Sequence, residues 1–156
     1  MPNPQNLPAL TVRAIRSTPV EVPLNFVLGT SQGAVRQAPL LLIDLETEEG
    51  ITGRSYLFCY VKAAAAGIAS ILREVEALTR GERLTPDVLQ ARLTRRFMLI
   101  GVQGIVRMAL AGFDVAAWDA LAVAENSEPF QPPSIVRSTG VPPASDRKKR
   151  FPSKSM

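Results

Sequence analysis

The chain has 156 residues, 46% of them hydrophobic and 21% charged, with a net charge of +4; that is room for one ordinary domain, or a small domain and a tail. It has no histidine and a single cysteine, Cys59, which excludes a histidine nucleophile, a histidine-ligated metal and an internal disulfide, and suits a reducing cytoplasm. From Glu125 onward six basic residues stand against three acidic ones, leaving +1 for the first 124 residues, so the basic balance is weak support for a nucleic-acid surface on the folded part.

Residues 1–8 carry three prolines and lack the basic-then-apolar order of a secretory signal. Leu10 to Ala14 alternates apolar and polar, the period of a half-buried strand. Pro19 and Pro23 then bracket a less regular extension. Asn25 to Ala38 contains Gly29 and Gly33 and few large anchors, which predicts a mobile loop of about a dozen residues, a length often used for lids or binding loops. Pro39 to Glu46 is the strongest strand signal. Thr47 to Gly50 reads as a turn, and Ile51 to Phe58 as its returning partner, completing a three-stranded antiparallel meander.

From Val61 the period changes to helical. Ile68, Ile71, Leu72, Val75 and Leu78 share one face, with Arg73, Glu74 and Glu76 outside it and Gly81 closing the run. Thr85, Pro86 and Asp87 read as a cap, a first-turn proline and a first-turn acid. They open a second helix whose buried stripe is Leu89, Leu93 and Phe97. Arg92, Arg95 and Arg96 lack interleaved aromatics, so they read as a solvated or interface face rather than a nucleic-acid site. Gly101 and Gly104 mark a break before a third helix beginning near Gln103.

That third helix is the centre of the chain. It is rich in alanine, holds the one tryptophan, Trp118, and has Gly112 at mid-length, where neighbouring backbones can approach closely. Its lack of a polar face predicts burial against several partners. Arg107, Asp114 and Asp119 interrupt the apolar run, which excludes a membrane span. The two aspartates, five apart, do not share a helix face; they read as hydrogen-bonding or cap-satisfying groups, not a catalytic pair. Cys59 reads as buried and inert.

Past Ala124 the character changes. Residues 125–156 hold six of the thirteen prolines, six serines and the basic cluster Arg147 to Arg150. Such a segment cannot bury enough to offset its ordering entropy, so the expected division is a folded domain over 1–124 and a disordered tail over 125–156. The cluster could serve as a nuclear-localisation or polyanion patch, but a solvated charge run is the simpler reading.

Three stretches carry a resemblance: Ala38 to Leu45, Gly53 to Tyr60, and Ile105 to Leu121 with its Ala-Gly-Phe-Asp-Val-Ala-Ala-Trp-Asp-Ala-Leu ending. In this order they resemble the amino-terminal capping domain of the mandelate racemase and muconate-lactonising group of the enolase superfamily, over about residues 10 to 122. The middle stretch is closer to mandelate racemase than to the group at large. The resemblance implies an α+β fold, the three-stranded meander followed by a helical bundle, that closes over the mouth of a modified (β/α)8 barrel. In that group the barrel supplies a lysine pair, acidic Mg2+ ligands and a His-Asp dyad, which together abstract the proton α to a carboxylate. A barrel needs roughly 200 residues or more, so neither catalytic residues nor a bound metal are expected in this chain, and Mg2+ belongs to the full-length family.

By the same resemblance Leu28 and Val35 match lid positions that pack on the substrate, and Tyr60 matches a tyrosine after the third strand. Without it, Leu28 and Val35 read as ordinary loop packing and Tyr60 as a half-buried strand end. The family pattern breaks off after Leu121, and the change to Pro/Ser/Arg-rich text is what an out-of-frame reading or a truncated gene produces. The expected partners are a barrel domain in cis or in trans, a 2-hydroxy-acid or acid-sugar substrate, and, because barrel-facing apolar surface would be uncovered, further copies of the chain. The reading from another class is a standalone interaction module whose basic tail binds polyanions.

Overall fold

The computed structural model of the chain describes residues 8–31 and 33–125. The basic cluster, and the tail in which it falls, lie outside them. Three strands, β1 (Val12–Thr30), β2 (Gly33–Thr47) and β3 (Thr52–Phe58), form one antiparallel sheet in the order β1-β2-β3. Three helices follow: α1 (Lys62–Thr79), α2 (Pro86–Arg96) and α3 (Ile105–Ala124), with a short 3-10 turn at Met98–Ile100. This is the expected α+β meander and helical bundle.

Alternation decides the layers. Leu41, Ile43, Leu45 and Thr47 of β2 are buried, and their neighbours across the sheet are Ile15 on β1 and Gly53, Ser55 and Leu57 on β3. On that face pack Ile68, Leu72 and Val75 of α1, Leu89 and Leu93 of α2, and Ala109, Leu110, Phe113, Ala116, Ala117 and Ala120 of α3, in one continuous core. The even-numbered face of β2, with Leu42 and Asp44, looks away from the helices, as antiparallel sheets allow.

The closest contact is between β3 and α3. A Cβ on Gly53 would lie 2.0 Å from the carbonyl oxygen of Ala116 and 2.6 Å from the backbone nitrogen of Ala120, so only glycine lets the strand lie on the helix backbone. Gly112 makes the reciprocal concession, its missing Cβ leaving room for Ile43 and Leu57. Two polar ties fix the register: Ser55 Oγ donates to the Gly112 carbonyl at 2.7 Å, and the Arg54 N–H donates to the Asp119 carboxylate at 2.7 Å.

The structure differs from the sequence reading in two places. Asn25 to Ala38 is not a loop: β1 runs to Thr30 and β2 starts at Gly33, so the segment is the outer part of a long hairpin. A register shift between Pro23 and Leu28 marks an irregularity on β1. Beyond β3 both faces of this ribbon are exposed, so no burial alternation existed to be read. Secondly, Thr85 occupies the cap position of α2, ahead of Pro86 and Asp87, without a side-chain capping bond. The third helix is buried against several partners as its composition predicts, the sheet, α1 and α2, with Val115 and Trp118 left 42% and 36% exposed.

Candidate functional site

Beyond the end of β3 the β1–β2 ribbon continues as two strands alone. From Pro39 back to Gly33 is about 20 Å of strand at 3.3 Å per residue. At its tip Thr30 pairs with Gly33, whose φ is +131°, and the Thr30 hydroxyl donates to the Gly33 carbonyl at 2.8 Å. The ribbon exposes Phe26, Val27 and Leu28. An isolated two-stranded hairpin is marginal in water, so its conformation depends on its base and on what it contacts.

Leu28 and Val35 are direct cross-strand partners. Residues opposite one another in an antiparallel pair point to the same face. The two sequence-derived candidates therefore form one apolar pair near the tip, Leu28 being 41% exposed. Tyr60 is placed apart from them, at the foot of the ribbon.

Tyr60 is also not the half-buried edge that its strand-end position suggests without the family resemblance: it is 73% exposed. Its φ of +62° is the one positive value at a non-glycine residue among the described residues. The Val61 N–H donates to the Cys59 carbonyl at 2.6 Å across it, closing a three-residue turn of the rarer, strained hand. Such strain costs on the order of 1–3 kcal/mol and persists only when neighbours fix the conformation. Here they do. The Cys59 N–H donates to Pro39 at 2.8 Å, Cys59 is 1% exposed, and the Phe58 ring meets Tyr60 edge-on at 4.9 Å. Burial pushes the Cys59 thiol up, against a smaller opposing effect of a backbone hydrogen bond from Leu41, consistent with an inert cysteine.

Around the foot lies a cavity of about 250 Å³ lined by Glu21, Gln37, Pro39, Tyr60, Val61 and Lys62. The Lys62 ammonium meets the Glu21 carboxylate at 2.6 Å, tying the ribbon to the first turn of α1. The sequence reading missed this pair; the cue available was that Lys62 is the one lysine before residue 148.

The other titratable groups serve the scaffold. Asp119 accepts from Arg54 on the outer strand β3, and Asp114 stands apart on α3, its carboxyl pushed up by burial and then by repulsion from Asp87. A hydrogen bond from Arg13, outweighing partial burial, holds the Glu46 carboxyl below its usual range. Arg92 pairs with Glu82 at 2.7 Å and Arg96 with Glu74 at 3.1 Å, so both are engaged within the fold. Among the described residues no group of three or more acidic, histidine or cysteine side chains could hold a metal ion, and no helix is long and apolar enough to cross a membrane. The described residues do not fit a Mg2+ site, and no metal-dependent step is derived from them.

The described residues form a small α+β domain from which a two-stranded ribbon projects. A sequence profile of the mandelate racemase / muconate lactonizing enzyme N-terminal domain matches residues 11–129, and the chain belongs to that family. Among similar solved structures is an enolase from Bradyrhizobium complexed with magnesium and mandelic acid. It is 32% identical, with a TM-score of 0.71, and the match covers 76% of this chain and 33% of that one. An enolase from the alpha proteobacterium bal199 with bound magnesium is 34% identical, with a TM-score of 0.71 and coverage of 75% and 32%. L-talarate dehydratase from Polaromonas sp. JS666, complexed with magnesium and L-glucarate, shares the fold at 22% identity and a TM-score of 0.62, covering 74% and 33%. The chain thus spans about a third of the length of these relatives.

Proposed function

We propose that this chain is the capping and substrate-lid domain of a Mg2+-dependent enzyme that abstracts the proton α to a carboxylate, a racemase or an acid-sugar dehydratase, and that it is inactive alone. The observation that carries the reading is the projecting ribbon with Leu28 and Val35 paired at its end and Tyr60 held at its foot. Residues 1–124 form the cap and 125–156 a separate tail. The catalytic acid, base and metal ligands come from a barrel domain, in cis or in trans, in a reducing cytoplasm.

The part played by this chain's own residues is binding and exclusion of water. An apolar pair on a ribbon has no hydrogen-bonding demand, so Leu28 and Val35 can close over the apolar part of a substrate without competing for its polar groups. Closure removes water and strengthens every electrostatic contact beneath. Tyr60 adds an exposed hydroxyl on a backbone that is already fixed, so little ordering cost is due on closure. Mg2+ would supply charge stabilisation for the enolate from the barrel side.

The purified chain, incubated with Mg2+ in D2O, should exchange no α-proton of mandelate or of a sugar acid. Exchange by this chain alone would overturn the reading.

A further inference from the structure

The ribbon leaves the body of the domain at a single rung. Leu40 pairs with Phe58 at the end of β3, and the next rung outward, Glu21 with Pro39, belongs to β1 and β2 alone. The segment from Cys59 to Lys62 holds that rung at both ends. The Cys59 N–H donates to the Pro39 carbonyl at 2.8 Å, and the Lys62 ammonium meets the Glu21 carboxylate at 2.6 Å. The first tie is backbone to backbone and comes with the sheet. The second joins two side chains that are 77% and 38% exposed, and such pairs are weak in themselves. Its importance comes from what surrounds it.

Packing does not fix the ribbon on this side. Between its root and α1 lies an open hollow of about 480 Å³, walled by Val20 and Leu40 on the sheet and by Ala65 and Ala69 on the helix, with Glu21 and Lys62 as its charged lining. The alanines are too short to reach across, so the ion pair spans a gap that no apolar contact fills. Nor does α1 explain why a lysine stands at its first position. The first turn has no acidic residue, and the cap residue Val61 makes no side-chain capping bond. A cation there faces the positive end of the helix dipole. Glu21 brings, from the ribbon, the carboxylate that this helix end lacks, and both the ammonium and the dipole attract it.

We infer that Lys62 and Glu21 are positioning residues: their ion pair bridges the hollow and sets the pitch of the ribbon against α1, so that Leu28 and Val35 are carried at a fixed height over the substrate. A tilt of about 10° at the root moves a tip about 20 Å away by about 3 Å, where a misplacement of about 1 Å already disturbs a site. The purpose of the pair rests on the lid reading. The pitch itself belongs to this chain and is measured without substrate, so the inference can fail while the lid reading stands.

The test is the distance distribution between spin labels on Ser31→Cys, at the ribbon tip, and Ala77→Cys, on α1, in the full 156-residue chain; both positions are exposed and Cys59 is buried. One narrow distance is expected. Lys62→Met and Glu21→Gln, at exposed positions, should keep the circular dichroism of the parent. Each should raise the fraction of molecules outside the parent peak about 3-fold, the weight of one exposed ion pair. Lys62→Arg, and the exchanged pair Glu21→Lys with Lys62→Glu, should restore the parent distribution. Salt at about 0.5 M should broaden the parent and leave Lys62→Met as it is, because screening acts on the pair. Arg13→Met, which removes the ion pair with Glu46 at the other end of the sheet, should change nothing. A parent as broad as Lys62→Met, or a broadening that the exchanged pair does not reverse, would overturn the inference. So would an equal broadening by Arg13→Met.

Discussion

Gly53→Ala isolates the contact on which the domain is built. The added methyl would fall 2.0 Å from the Ala116 oxygen, 2.6 Å from the Ala120 nitrogen and 2.7 Å from the Ala120 Cβ. None of these atoms can rotate away, since two are backbone and the third is fixed to it. β3 must therefore lift off α3 by an ångström or so. Overpacking of this kind costs about 1–3 kcal/mol. The lift also stretches the Ser55–Gly112 and Arg54–Asp119 hydrogen bonds, both 2.7 Å, worth about 1 kcal/mol for the neutral one and about 1.5–3 for the charged one. If both bonds are lost the expected total is about 3.5–7 kcal/mol, against the roughly 5–15 kcal/mol that holds an ordinary domain together. Gly112→Ala is the internal control: the nearest atoms to its new methyl are side-chain carbons of Ile43 and Leu57, which can shift where backbone cannot, so its cost should stay near 1–2 kcal/mol. Urea unfolding followed by Trp118 fluorescence measures both. If Gly53→Ala fell within about 0.5 kcal/mol of wild type, or below Gly112→Ala, the packing account would fail.

Asp119→Ala should cost about 1.5–3 kcal/mol by unpairing the Arg54 N–H, read from the same urea curves. Asp114→Asn should act in the opposite sense. A carboxyl raised by burial and by Asp87 disfavours its charged form in the fold, so stability is lost as pH climbs from the ordinary Asp value through the raised one. The variant should be more stable than the parent at neutral pH, with the gap closing below about pH 3.9 in a pH series of melting curves. Tyr60→Gly should gain about 0.5–1 kcal/mol by releasing the positive-φ strain, visible as a raised Tm. Leu28→Asp should leave the Tm unchanged, because that side chain belongs to the ribbon and not to the core.

What could be read in advance followed burial. β2, β3, α1 and α2 each bury one face, so their periods showed in the residues, and the placing of Asp114 and Asp119 on separate faces followed from five-residue spacing on a helix. The ribbon buries neither face, and its length was hidden behind Pro23, Gly29 and Gly33. Gly112 advertised close packing by its place in an alanine-rich helix; Gly53, which lies on Ala116 and Ala120 of that helix, gave no such cue. The Leu28–Val35 pairing depended on a strand register that the irregularity after Pro23 obscures. The left-handed backbone at Tyr60 had no signal at all, since no glycine or asparagine stands there. The exposure of Met98, Leu99 and Ile100 was equally illegible, because an apolar triplet between two helices reads as core.

The lid reading is tested most directly by grafting residues 8–125 in place of the matched third of the Bradyrhizobium enolase, which binds magnesium and mandelic acid, and measuring mandelic acid binding in the presence of Mg2+, with and without Leu28→Asp. The account predicts that the graft binds mandelic acid and that Leu28→Asp raises the Kd on the order of 10-fold with the fold intact, about the effect of losing one apolar contact. A graft that binds as tightly with Leu28→Asp as without it would contradict the assignment of the ribbon as the part that closes on the ligand.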